Sequence, residues 1–310
     1  MNYRSDWPEI GLSSAINEEP PARAATPPDW VHESRAGDLL LRWVASKDGF
    51  ESRLYNFPIW NLHLELEHAG RDIPDSGMLR TVITAEIERF AAAPPWGISY
   101  VFSRVVESEP LSRPLLECGF QEVERRRLYR TRVADIRVID CEGRSIRFVP
   151  LADIPPEQRR SCREQIFEIC GEAFRDKGYS RHFADPFLSG RMPGRAYISA
   201  AMELNFERLP VESFLLSLAS DAGCVCGFSV VGKKTGLTSS MYTQLLSAVR
   251  REYQGRDIYL GLTRLLVQKL PQDAVLLNAT HAGNVAMQQA YQRSGRLHLA
   301  DTVVLRRVFE

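Results

Sequence analysis

Between residues 241 and 295 the chain reads as strand, basic turn, helix, strand and helix, an order that only an α/β sheet with helices packed on it accommodates. The first strand is Met241–Val249, the turn runs Arg250-Arg251-Glu252-Tyr253-Gln254-Gly255-Arg256, and the helix continues through Leu266. A second strand, Ala274–Thr280, leads into a helix holding Asn284 and Tyr291, with Gly295 after them. A helix N-terminus is thereby placed beside a strand end. Its first backbone N–H groups have no partner within the helix, so the place suits a phosphate. Basic residues there oppose the helix dipole, and an anion would remove that conflict.

These residues resemble the GNAT superfamily of acyl-CoA-dependent N-acyltransferases. Val249, Tyr253, Gln254, Gly255, Arg256, Ile258 and Leu262 fall at the family's spacing around its glycine-rich turn. Asn284, Tyr291 and Gly295 match its Asn-(x)6-Tyr-(x)3-Gly signature. The resemblance implies a CoA pyrophosphate held by the backbone of Gln254, Gly255, Arg256, Asp257, Ile258 and Tyr259. It also implies a thioester carbonyl held near Val249, a pantetheine steadied by Asn284, and Tyr291 protonating the departing thiolate. Asp257 and Tyr259 stand where the family usually has glycines, which allow close approach of backbone to phosphate. An Asp beside a pyrophosphate repels it unless the side chain turns away.

The closing unit occurs twice. Tyr100–Phe120 overlays Leu276–Arg296 without a gap, matching Gly119 with Gly295, and each Gly precedes an apolar strand. Ser108 then takes the place of Asn284 and Leu115 that of Tyr291, and no basic Gly turn precedes the first copy. The expected fold is α/β, two tandem GNAT-like domains, each a mixed, mostly antiparallel sheet flanked by helices. Residues 1–36, rich in Pro, Glu, Ala and Ser, are expected as a flexible arm. Residues 37–134 form the copy without a cofactor site, 135–143 a linker and 144–310 the catalytic copy. The segment Trp43–Trp60 is faintly similar to the opening of tandem GNATs of the dTDP-fucosamine amine acetyltransferase type.

The chain's 310 residues suit two domains of ~150 residues. Its formal net charge of +0 gives no footprint for nucleic acid or an anionic membrane. No apolar run approaches the ~20 residues of a membrane span. Cys224-Val-Cys226 does not have zinc-ribbon spacing, and no metal is expected. Scattered thiols and a polar N-terminus suit a reducing cytoplasm. The implied co-substrate is acetyl-CoA or another acyl-CoA. The implied acceptor is a small-molecule amine such as an amino sugar or natural-product precursor, selected by residues 176–210 with Tyr179, His182, Phe183, Phe187, Arg191 and Tyr197. His281, Glu203, Glu207 or a water chain could take the amine proton. An acyl-carrier-protein or aminoacyl-tRNA donor, a non-catalytic binding role and a homodimer stay open.

Overall fold

The computed structural model describes residues 2–3, 30–36, 39–68, 76–92, 99–107, 111–139, 146–174, 180–191, 214–221, 223–234 and 240–309. Most of the arm, residues 140–143 of the linker and most of 176–210, including Tyr179, Tyr197, Glu203 and Glu207, lie outside them. The chain forms two compact units. The first holds residues 1–9, 17–126 and 300–310, and the second 10–16 and 127–299. Relative to the expected boundaries, 127–134 group with the second unit and the final strand from Ala300 onward with the first.

In the first unit, β1 (Asn2–Tyr3), β2 (Trp30–Ala36), β3 (Leu39–Lys47) and β4 (Ile59–His68) pair antiparallel, β1 and β3 both against β4. Leu41, Trp43 and Ala45 alternate inward along β3, as the period of a strand requires. Between β3 and β4 lies helix α1 (Gly49–Tyr55), capped by the Asp48 carboxylate, which accepts from the Glu51 N–H at 2.8 Å. After β4 come α2 (Ser76–Ala92), β5 (Ser99–Val106), α3 (Ser112–Glu117) and the start of β6 (Gln121–Arg132). Ile83 and Ile87, one helical turn apart, carry α2 into a core with Leu62, Val101 and Leu305. β5 runs parallel to β4 over Tyr100–Phe102. On its other side it pairs antiparallel with the end of β12 (His298–Phe309), from Ser99 with Phe309 to Val106 with Thr302.

In the second unit, β7 (Arg147–Pro150) leads into helix α4 (Pro156–Phe174) and the short helices α5 (Arg181–Ala184) and α6 (Pro186–Ser189). Strands β8 (Phe214–Asp221), β9 (Cys224–Lys234) and β10 (Met241–Val249) follow, then α7 (Ile258–Lys269), β11 (Val275–His281) and α8 (Val285–Arg293). The strand order is β7-β8-β9-β10-β11-β6, antiparallel from β7 to β10. Leu262 and Leu266, both fully buried, seat α7 on this sheet. Three expected elements shift only at their ends: α4 starts earlier, α7 runs on to Lys269, and β11 begins one residue later.

The pairing corrects one correspondence. From sequence alone, Leu39–Val44 reads as the strand that opens its copy, as Arg144–Leu151 opens the other. It pairs antiparallel with β4 as β9 pairs with β10, so it corresponds to Cys224–Lys234. Gly119 and Gly295, matched in the sequence overlay, end α3 and α8 with φ of 84° and 71°, a conformation most residues avoid.

Candidate functional site

Strands β10 and β11 run parallel only from Met241–Thr243 against Val275–Leu277 and then part. A β-bulge between Gln244 and Leu246 bends β10 as the parting begins. On the widening side a cleft of about 340 Å³ opens between the end of β10, the start of α7 and the face of α8. Strands that separate at their carboxyl ends are where open α/β sheets take ligands.

The turn after β10 is built for close approach. Arg250 N–H donates to Cys226 O at 2.9 Å, and residues Arg251–Tyr253 make one 3-10 turn. Gln254 Nε2 reaches back to Val249 O at 3.2 Å. Gly255 follows with φ 76°, and beyond its two chain neighbours no residue comes within 4 Å of where its Cβ would be. Asp257, at the N-cap of α7, is left-handed too, with φ 57° and ψ 19°. Its carboxylate gives the helix no cap; it accepts from Arg293 Nη1 at 2.6 Å. The carboxylate has turned away from the helix axis to a cation on α8. Among the described residues, the backbone N–H groups of Gly255, Arg256, Ile258 and Tyr259 meet no acceptor. Such a row of unfilled donors at a helix start fits a pyrophosphate.

Of the residues expected to hold the cofactor, Val249, Gln254, Gly255 and Asp257 line the cleft on the β10 side. Ile258, Tyr259 and Asn284 line it from the two helices. Arg256 does not; its guanidinium lies 5.1 Å over the Tyr253 ring. Arg250 is drawn off to Val225 O at 3.2 Å and to Glu168 at 3.4 Å. Asn284 caps α8, its Oδ1 accepting from Met287 N–H at 3.3 Å.

Tyr291 sits below the cleft and does not line it. The ring is 2% exposed, packed edge-on 4.6 Å from Tyr129 and 5.9 Å from Tyr259, with the Arg296 guanidinium 5.0 Å over its face. Burial, then the neighbouring Tyr259, hold its phenol well above the usual tyrosine value, while Arg296 pulls the other way. His281 ends β11 outside the cleft lining, its Nδ1 accepting from Gly283 N–H at 2.9 Å. Among the described residues of the expected acceptor region, none of 180–191 lines the cleft.

Three features escaped the sequence reading: the Asp257–Arg293 pair, Ser247 on the cleft wall, and the buried polar side chains of Gln244, Asn278 and Arg296. Arg293 carried one signal, a basic residue in the last turn of a helix whose partner Asp257 broke the glycine pattern.

No family model and no curated protein matches the sequence. Solved structures do. A GCN5-related N-acetyltransferase from Sphaerobacter thermophilus superposes with a TM-score of 0.50 at 14% identity, over 89% of this chain and 82% of the other. The fold is that of the GCN5-related N-acetyltransferases. A functionally unknown conserved protein from Staphylococcus epidermidis superposes with a TM-score of 0.50 and 10% identity over 83% of this chain and 86% of its own. A tandem GNAT protein from the clavulanic acid biosynthesis pathway superposes with a TM-score of 0.48 at 15% identity, covering 91% and 85%. Among the described residues no helix is long and apolar enough to cross a membrane. No group of three or more His, Cys, Asp or Glu among them could hold a metal ion.

Proposed function

We propose that the protein is an acyl-CoA-dependent N-acyltransferase, with acetyl-CoA the donor, acting on a small-molecule amine. One observation carries this reading: the parting of β10 and β11 and the unfilled N–H groups of α7 open into the same cleft. The N–H groups of Gly255 to Tyr259 would take the pyrophosphate, and Asn284 would steady the pantetheine arm. The thioester supplies an activated carbonyl, which the amine attacks directly. The protein's share is positioning and polarisation. Tyr291, held protonated by burial, would serve as the proton donor to the thiolate, and because it does not line the cleft the proton would pass through an intervening hydrogen-bonding group.

The reading extends to the whole chain as two tandem copies of one fold, of which the first has lost its site. Leu115, fully buried, stands where the second copy has Tyr291. Ser108, opposite Asn284, lies outside the described residues. The short α3 replaces α8. The test is turnover: acetyl-CoA with a panel of amino sugars, polyamines and amino acids, followed by mass spectrometry. An acetylated amine formed by the parent and not by Gly255→Glu supports the reading. No acetylated product from any amine, together with no binding of acetyl-CoA, would sink it.

A further inference from the structure

Beyond Thr243 and Leu277 the space between β10 and β11 is filled by polar side chains: Gln244 is 6% exposed, Asn278 1% and Arg296 4%. Among the described residues no carboxylate pairs with Arg296. A guanidinium only donates. Arg296 donates to Asn278 Oδ1, to Thr263 Oγ1 at 3.3 Å and to Gln244 Oε1 at 3.5 Å. That fixes which way both amides face. Asn278, its oxygen turned to Arg296, gives its Nδ2 to Gln244 Oε1, and the same oxygen takes the Tyr259 hydroxyl at 2.7 Å. The Gln244 nitrogen is left for Ser229 Oγ, at 3.1 Å, and for Ser247 Oγ. The bulge explains how Gln244 meets Ser247: one extra residue puts positions three apart on the same side of the strand.

Ser247 lines the cleft. A hydroxyl has one proton and two lone pairs. The Gln244 amide occupies a lone pair, so the proton is left to donate, and among the described residues no group accepts it. We propose that Ser247 is a catalytic hydrogen-bond donor to the thioester carbonyl oxygen, with Gln244, Asn278 and Arg296 as the positioning residues that keep its proton turned to the cleft. This rests on the acyl-CoA reading. As the amine adds, the carbonyl π pair moves onto oxygen, and a donor already aimed there needs no reorganisation. The proton itself is not transferred, so the step leaves Ser247 unchanged.

The experiment compares the parent with Ser247→Ala, Ser247→Thr and Gln244→Glu, using acetyl-CoA labelled with ¹³C at the carbonyl. Affinity, the infrared carbonyl band of the bound thioester, kcat and Tm are measured. Ser247→Ala should bind with a Kd within about threefold of the parent, shift the band to higher wavenumber, and lose on the order of 100-fold in kcat. Ser247→Thr should restore both. Gln244→Glu gives Arg296 a counter-charge and offers Ser247 an acceptor inside the protein. Its Tm should be equal or higher while kcat falls as in Ser247→Ala, a divergence that a purely structural role would not produce. If the parent neither binds nor turns over acetyl-CoA, the acyl-CoA reading fails and takes this proposal with it. If the parent works and Ser247→Ala leaves band and kcat unchanged, the proposal alone is overturned.

Discussion

Asp257 shows how one residue can depart from a family pattern and still suit the same ligand. A non-glycine held in the left-handed region costs on the order of 1–3 kcal/mol, and here the Arg293 pair holds it there. Asp257→Gly should relieve the strain and free Arg293 for a phosphate. The expected result is tighter acetyl-CoA binding by about tenfold, read by titration calorimetry, at about 1.4 kcal/mol per decade. Weaker binding would mean that the pair shapes the turn. Tyr291 makes a different prediction, in alkali. Its folded-state value lies above that of the unfolded chain, so its contribution is fully present below the unfolded value of ~10 and is lost as pH rises through the folded one. Cys226, pushed by burial to about 11, acts in the same direction. Urea denaturation from pH 8 to 11 should therefore show falling stability, and a shallower fall in Tyr291→Phe. Equal slopes would place the loss elsewhere. Among the described thiols, exposed Cys224 should react quickly with Ellman's reagent, and buried Cys170 and Cys226 only on unfolding.

At the scale of elements, the site depends on how closely α7 sits on the end of β10. Gly227, paired with Val249, makes room for the first residue of that helix: a Cβ there would lie 2.9 Å from Ile258 Cγ2 and 3.2 Å from Ala248 O. Gly227→Val should lower Tm by several degrees, about 1–3 kcal/mol of overpacking, and weaken acetyl-CoA binding together with it. A stable variant that binds normally would show that the helix can shift without harm. These elements were legible from sequence because their signals are local. Leu262 and Leu266 keep helical spacing, and Gly119 and Gly295 end helices where φ must be positive. The bulge was not legible: Gln244-Leu245-Leu246-Ser247 carries no Gly, Pro, Asn or Asp, and only strand pairing reveals the extra position. For that reason Gln244 and Ser247 read as opposite faces of a strand, and their shared role went unseen. Tyr291 was singled out by its spacing from Asn284 and Gly295, but its depth depends on Tyr129, a residue 162 positions earlier in sequence (291 − 129) that no local pattern links to it.

For the whole molecule, the proposed function divides the chain into two copies of one fold, of which the second keeps the chemistry. The proposed repeat rests on the pattern of elements, while the partner of each closing strand could not be read from local sequence. β12 pairs with β5, and β6 lies next to β11, choices made by long-range pairing. The unmatched parts of the two copies agree with the division of labour. The row of unfilled N–H groups belongs to the turn after β10 and the first residues of α7, and the residues that line the cleft all belong to the second unit. The most direct measurement is a thermal melt of the parent and of Gly255→Glu, each with and without acetyl-CoA. The parent should gain about 2.7 kcal/mol at a hundredfold excess over Kd, and the variant, with a carboxylate set among the phosphate donors, should gain nothing. No gain in the parent, or an equal gain in both, would contradict a cofactor seated on the turn between β10 and α7.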